Sequence, residues 1–157
     1  MNAVSVQQLQ AMLPKACAWA EEQERLILAN GVPLSSLQLA DARAVGVKSP
    51  ERIRLSRVDI VPLPSDPILH RAAQATGLLT PDTLGLTLRY GIFIRDDGWD
   101  DRWLLAHEFA HTAQYERLGG FLPFLQQYLT ECVVGRYPNT PMEHEAVEAA
   151  KRVCGGR

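Results

Sequence analysis

LLAHEFAHTAQYE, residues 104–116, places two histidines four positions apart, with a glutamate between them, in an apolar run. Residues four apart on a helix stand one turn above the other, with Cβ atoms about 5–6 Å apart. Imidazoles at that spacing, here His107 and His111, can reach one ion, and zinc takes histidine nitrogen at about 2.0–2.1 Å. Glu108 lies about 100° around the helix from His107 and about 60° from His111. It stands beside the ion without pointing squarely at it, where a general base takes a proton from water. Residue types and spacing together make the HExxH pattern of a metal-dependent hydrolase.

The simpler reading is a buried helix with two hydrogen-bonded histidines. Trp103, Leu104, Ala110 and Leu118 share the histidine side, while Leu105, Phe109 and Thr112 lie opposite. A helix apolar on both sides is buried, and two histidines and a glutamate inside it need partners. A metal ion supplies them.

A catalytic zinc takes three protein ligands. An HExxHxxGxxH extension is absent, since position 114 is Gln and position 117 is Arg. Downstream, Pro141-Met142-Glu143-His144-Glu145-Ala146 offers three candidates. Glu143 and Glu145 project about 160° apart on a helix, so only one can face the ion. Glu143 shares its face with Ala146, whose small side chain permits close helix approach, and is the preferred third ligand. Glu145 shares a wetter face with Glu148 and Ala149 and is the alternative; His144 comes third.

Outward from this stretch, periodicity and punctuation predict the remaining elements. Residues 5–30 read as a helix that Pro14 kinks or splits, stopped at Asn30-Gly31. A short helix follows from Ser35 or Ser36 to about Ala44. Ile53 to Val61 alternates as a strand, and a helix from Ser65 or Asp66 carries Pro67 in its first turn. Leu84 to Arg95 suggests one or two strands, with glycines marking a turn or bulge. The HExxH helix spans about Asp100 to Leu118 and stops at Gly119-Gly120. Two further helices run from Pro123 to Val134 and from Pro141 to Val153, the last capped by Asn139 or Thr140. The sum is one α+β domain over 1–157: a helical N-terminal part (1–45), a small sheet, and an active-site helix followed by two helices. Residues 61–67 are too short to separate two domains.

Composition agrees with a globular domain. The 157 residues are 46% hydrophobic and 22% charged, with a net charge of −2, which does not suit a nucleic-acid binder. No apolar run reaches the ~18 residues that span a bilayer, and MNAVSVQQLQ lacks the basic and apolar regions of a secretory signal. Cys17, Cys132 and Cys154 form no CxxC pair. They read as reduced, mostly buried thiols, and the chain as cytoplasmic.

HEFAHTAQ followed by PMEHEA resembles the gluzincin group of zinc metallopeptidases, most closely its small peptidase-like domains with an HExxHxxQ helix and a later ExEA helix. Similar domains occur in proteins associated with extracellular contractile injection systems, which implies a protein partner. The resemblance covers about residues 50–153, including a glycine-containing strand within 85–95, and leaves the first helical segment unaccounted for. It implies zinc as cofactor, His107, His111 and Glu143 as ligands, Glu108 as base, and a peptide or protein as substrate. Many gluzincins carry ExxxD at the third ligand, with the Asp orienting a ligand histidine. That position is Val147 here, so orientation falls to another residue.

Gln114, one turn past His111, is a candidate to hold a ligand or the substrate, and equally to bond local backbone. Tyr115, Tyr128 and Tyr137 are available to stabilise an oxyanion, with Tyr137, just before the third ligand, best placed. His70 is expected at the surface, and Trp99 and Trp103 in the core or at the rim. Phe121-Leu122-Pro123-Phe124-Leu125 is expected in the core, with a cleft wall as the other use. A non-catalytic scaffold module is the alternative function. It would need a zinc staple closed by a fourth ligand such as His144 or a cysteine, and would have no use for Glu108.

Overall fold

Helix formation starts at Ser5, whose hydroxyl accepts from the Gln8 amide at 3.1 Å while the Gln8 side chain accepts from the Ser5 amide at 2.8 Å. This reciprocal cap launches α1, Val6–Asn30. A computed structural model describes residues 4–155; Met1–Ala3 and the last two residues, at the ends of the 1–157 span, lie outside the described residues. Pro14 sits inside α1 without splitting it. Both Pro14 and Gln10 are exposed, so the carbonyl that proline deprives of its partner lies on the wet face. On the other face Leu9, Leu13, Ala20 and Ile27 are buried, and α1 packs against the fifth helix and the sheet.

The chain reverses at Gly31, where a Cβ would stand 2.7 Å from the Ile27 carbonyl oxygen and 2.9 Å from that of Leu55. Only glycine admits that approach. Strand β1, Val32–Pro33, follows, then α2, Ser36–Ala44, capped by Ser35 and Gln38 in the same reciprocal way. Next come β2, Arg54–Val58, and α3, Pro67–Ala75, capped by Asp66. Strands β3, Gly85–Leu88, and β4, Gly91–Arg95, precede α4, Arg102–Leu118. Helices α5, Phe121–Val134, and α6, Pro141–Cys154, complete the α+β fold.

The sheet order is β1-β2-β4-β3, with β2 and β4 parallel and the outer pairs antiparallel. β2 is shorter than the alternation of residues 53–61 suggests. Its last partner is Arg95, opposite Val58, and β4 ends there, so Asp59 and Ile60 have no strand residue to pair with among the described residues and are exposed. Side chains alternate across β4. Ile92 and Ile94 join α2, α4 and α6 in one core cluster, while Phe93 joins α1 and α5 in the other. The first 45 residues therefore share a sheet with the rest through β1.

The β3–β4 turn corrects the expectation of a glycine turn. Its positive-φ residue is Arg89, at φ 60°, a conformation that costs a side-chain-bearing residue about 1–2 kcal/mol. Buried Glu24 of α1 holds it there. Arg89 donates Nε and Nη2 to the Glu24 carboxylate at 2.8 and 2.6 Å, and the Tyr90 amide donates to the same carboxylate at 3.0 Å. Gly91 serves helix–sheet approach instead, since a Cβ there would lie 3.0 Å from the Ile27 Cβ.

α4 begins at Asp101, which accepts from the Leu104 amide at 3.1 Å, and ends at Gly119, at φ 101°. Asp41 of α2 receives Arg102 through two hydrogen bonds of 2.8 and 2.9 Å. α5 starts two residues before Pro123, because a proline in a first turn gives up an amide that has no helical acceptor. Thr140 occupies the cap position of α6 but makes no side-chain cap bond. Glu131 of α5 takes that role, accepting from the Met142 amide at 2.8 Å.

Glu24→Ala removes three charge-assisted hydrogen bonds from a strained turn. It is expected to lower stability by about 2–3 kcal/mol, read from the urea midpoint with the slope unchanged.

Candidate metal centre

The HExxH residues occupy the middle of α4, and Glu143 comes from the first turn of α6. The two helices pack together because Ala106 and Ala110 of α4 and Ala146 and Ala150 of α6 are small and fully buried. That approach carries the Glu143 carboxylate between the two imidazoles. Its Oε1 lies 3.1 Å from His107 Nε2 and its Oε2 2.8 Å from His111 Nε2. The ligand atoms of His107, His111 and Glu143 all fall within 4.8 Å of one another. A tetrahedral ion with ligands at about 2.0–2.1 Å would hold them about 3.3 Å apart; the His107 nitrogen already stands 3.1 Å from one Glu143 oxygen and the His111 nitrogen 2.8 Å from the other. Two nitrogens and one carboxylate oxygen also suit zinc. The residues present fit the ion.

The neighbours orient these groups. Gln114 Nε2 donates to the Met142 carbonyl and to Glu145 Oε1, each at 3.0 Å, which turns Gln114 Oε1 toward His111 Nδ1 at 2.7 Å. His111 Nδ1 must then carry a proton and donate, which directs Nε2 at the centre. This is the orienting role left open by Val147, and Gln114 fills it while tying α4 to α6. Tyr128 of α5 donates its hydroxyl to Glu143 Oε2 at 2.7 Å. Trp103 stacks on His107 with ring centroids 5.3 Å apart.

Glu108 stands beside the group, buried, with Oε2 lacking a hydrogen-bond partner among the described residues. Desolvation pushes its carboxyl above the ordinary range, against the opposing pull of His111 and His107. Gly85 of β3 makes room for it: a Cβ there would sit 3.0 Å from both Cγ and Oε1 of Glu108. A cavity of about 420 Å³ opens over the centre, lined by His107, Glu108, His111, Glu143, Tyr128 and Tyr137 among others.

Other candidates take different places. Glu145 is half exposed, bonded to Gln114 and, at 2.9 Å, to Arg117; Ala149, expected beside it on the wetter face, is buried. His144 is exposed, and neither it nor any cysteine joins the group among the described residues. Tyr115 is packing, stacked on Phe124 with centroids 3.5 Å apart. Tyr137 borders the cavity, its hydroxyl held neutral by burial and by the charge of Glu143. His70 is half-buried, with Nδ1 3.2 Å from the Pro64 carbonyl oxygen. Phe121, Phe124 and Leu125 are buried, and the latter two also line the cavity. Tyr128, expected with Tyr115 and Tyr137 only as an oxyanion donor, instead bonds Glu143; its spacing from Phe124, one turn along α5, is the local signal for that placement.

Without metal, the group is held by charge. Burial works against a charged Glu143, but hydrogen bonds and charge from both histidines outweigh it and hold the carboxyl well below its ordinary 4.5. Burial likewise opposes a charged His111, yet the bond to Glu143 and its charge raise that imidazole from 6.5 to about 9. A lowered carboxylate stabilises above its unfolded value, and a raised imidazole stabilises below its own. The contribution is therefore complete between about pH 4.5 and 6.5, and is lost as pH rises through about 9 or falls into the acid range. The difference in urea midpoint between metal-free wild type and Glu143→Gln is expected to show this profile.

No family model, curated protein or solved structure matches this chain, so the reading of the centre rests on its own geometry.

Proposed function

We propose that the chain is a zinc-dependent hydrolase of peptide bonds, gluzincin-like in its residue pattern. The observation that carries this is an unpartnered, buried Glu108 oxygen beside a converging His107–His111–Glu143 group. A purely structural ion is closed by four protein ligands, whereas this group offers three, and a structural ion has no use for a buried carboxylate oxygen left without a hydrogen bond.

His107, His111 and Glu143 would hold the ion. When bound, zinc supplies Lewis acidity, which polarises a carbonyl and acidifies water. Glu108 Oε2 would take the proton from the attacking water and pass it to the leaving amine. Tyr137, at the cavity wall, would donate to the developing oxyanion. Gln114 and Tyr128 keep the ligand set in register.

A peptide substrate is supported by β3. It is the last strand of the sheet, no strand pairs with its outer edge among the described residues, and its residues line the cavity. An extended peptide can add to such an edge through main-chain hydrogen bonds. No helix among the described residues is long and apolar enough to cross a membrane. The three free thiols fit the reducing cytoplasm, where we place the chain.

Elemental mass spectrometry of purified protein is expected to find about one zinc per chain. Glu143→Gln should lose it and Glu145→Gln should keep it; retention in the first variant, or no zinc in the wild type after reconstitution, removes the proposal. Glu108→Gln should retain zinc and lose roughly 10²–10⁴-fold in turnover on a peptide library. Gln114→Ala is expected to weaken zinc by about 10–100-fold in a competitive chelator titration.

A further inference from the structure

The cavity over the metal centre extends well beyond the residues that chemistry would use. It is also lined by Met12, Ala16 and Trp19 of α1, by Ala72 and Ala73 of α3, and by Leu129 of α5. Protein interiors are close-packed, with few voids larger than a water molecule, so an apolar space of about 420 Å³ is a feature that packing alone does not produce. Its volume falls in the range of small-ligand sites. Among the described residues no lysine or arginine lines it. Away from His107, His111 and the ion they would hold, an acidic side chain or a free chain-terminal carboxylate would therefore be desolvated there without a counter-charge.

We infer that this is the specificity pocket of the enzyme: helices α1 and α3 select peptides with a large apolar side chain, of the leucine or phenylalanine kind, next to the hydrolysed bond within a chain. The inference rests on the hydrolase reading for the bond broken, and on the cavity itself for the side chain bound. Continuity with the centre supports it, because His107, Glu108 and the α1 and α3 residues border one space. The β3 edge lining the same space favours a peptide over an acyl chain. α1 thus contributes to the site although it carries none of the metal-binding residues.

Filling the pocket tests this. Zinc-loaded full-length protein is assayed on peptides that differ at one position beside the central bond, carrying Leu, Phe, Ala, Asp or Lys. Wild type is expected to favour Leu and Phe over Ala by at least about tenfold in kcat/KM. Ala72→Phe and, independently from the other helix, Ala16→Phe should each cut that ratio by about tenfold while holding one zinc per chain. The same peptides and decanoate are titrated calorimetrically into zinc-loaded Glu108→Gln. Tighter binding of the Leu peptide, with a negative heat-capacity change that either filled pocket removes, supports the inference. Cleavage with no apolar preference, or a preference that neither substitution changes, overturns the pocket and leaves the hydrolase standing. Apolar peptide binding without cleavage of any peptide leaves the pocket and removes the hydrolase. Decanoate binding more tightly than every peptide overturns the peptide assignment.

Discussion

A buried carboxylate caught between one buried and one half-buried imidazole is the constraint on which the rest of this structure depends. Glu143 cannot be charged in that position without His107 and His111, and neither histidine is comfortable without it. The arrangement requires α4 and α6 to lie close enough for side chains of three residues to meet, which their facing alanines allow. It also fixes the rotation of each helix. Gln114 enforces both conditions by bonding His111 on its own helix and the Met142 carbonyl on the other.

The centre is framed on its open side by elements that carry none of the three converging residues. β3 brings Gly85 against Glu108, so the absence of one methyl group determines where the carboxylate can rest. The β3–β4 turn that sets the height of this strand is pinned by Glu24 of α1, which offsets the left-handed backbone at Arg89. Thr112 of α4 adds a hydrogen bond to the Arg89 carbonyl at 2.6 Å. Helix, turn, strand and Glu108 are thus linked in one chain of contacts. A strained turn held by a buried charge is an expensive way to build a hairpin, and it makes α1 part of the scaffold of the site.

Much of the fold was legible because its signals are local. Ser5-Gln8, Ser35-Gln38, Asp66-Pro67 and Gly119 each mark a helix end through bonds made within a few residues. The HExxH spacing is equally local, since a regular helix is enough to put His107 and His111 on one side. Helical phase in the same way puts Glu143 and Glu145 on different faces, so that only one of them can approach the imidazoles. The β2 end was not legible, because it depends on where β4 stops. Nor was the turn at Arg89, because glycine is the ordinary bearer of positive φ and the residue compensating its absence lies 65 positions away.

The sequence by itself determined the class of fold, the helix that carries the two histidines and the glutamate, and a short set of partners for them. Those follow from period, capping and residue chemistry, which act over one or two turns of chain. Tertiary structure decided which glutamate approaches the imidazoles, that Gln114 orients His111, that Tyr128 rather than a nearer residue bonds Glu143, and that α1 and α3 wall an apolar cavity beside the centre. These depend on distances between elements far apart in the chain, set by how small residues and buried charges let helices and strands approach, and no local pattern encodes them.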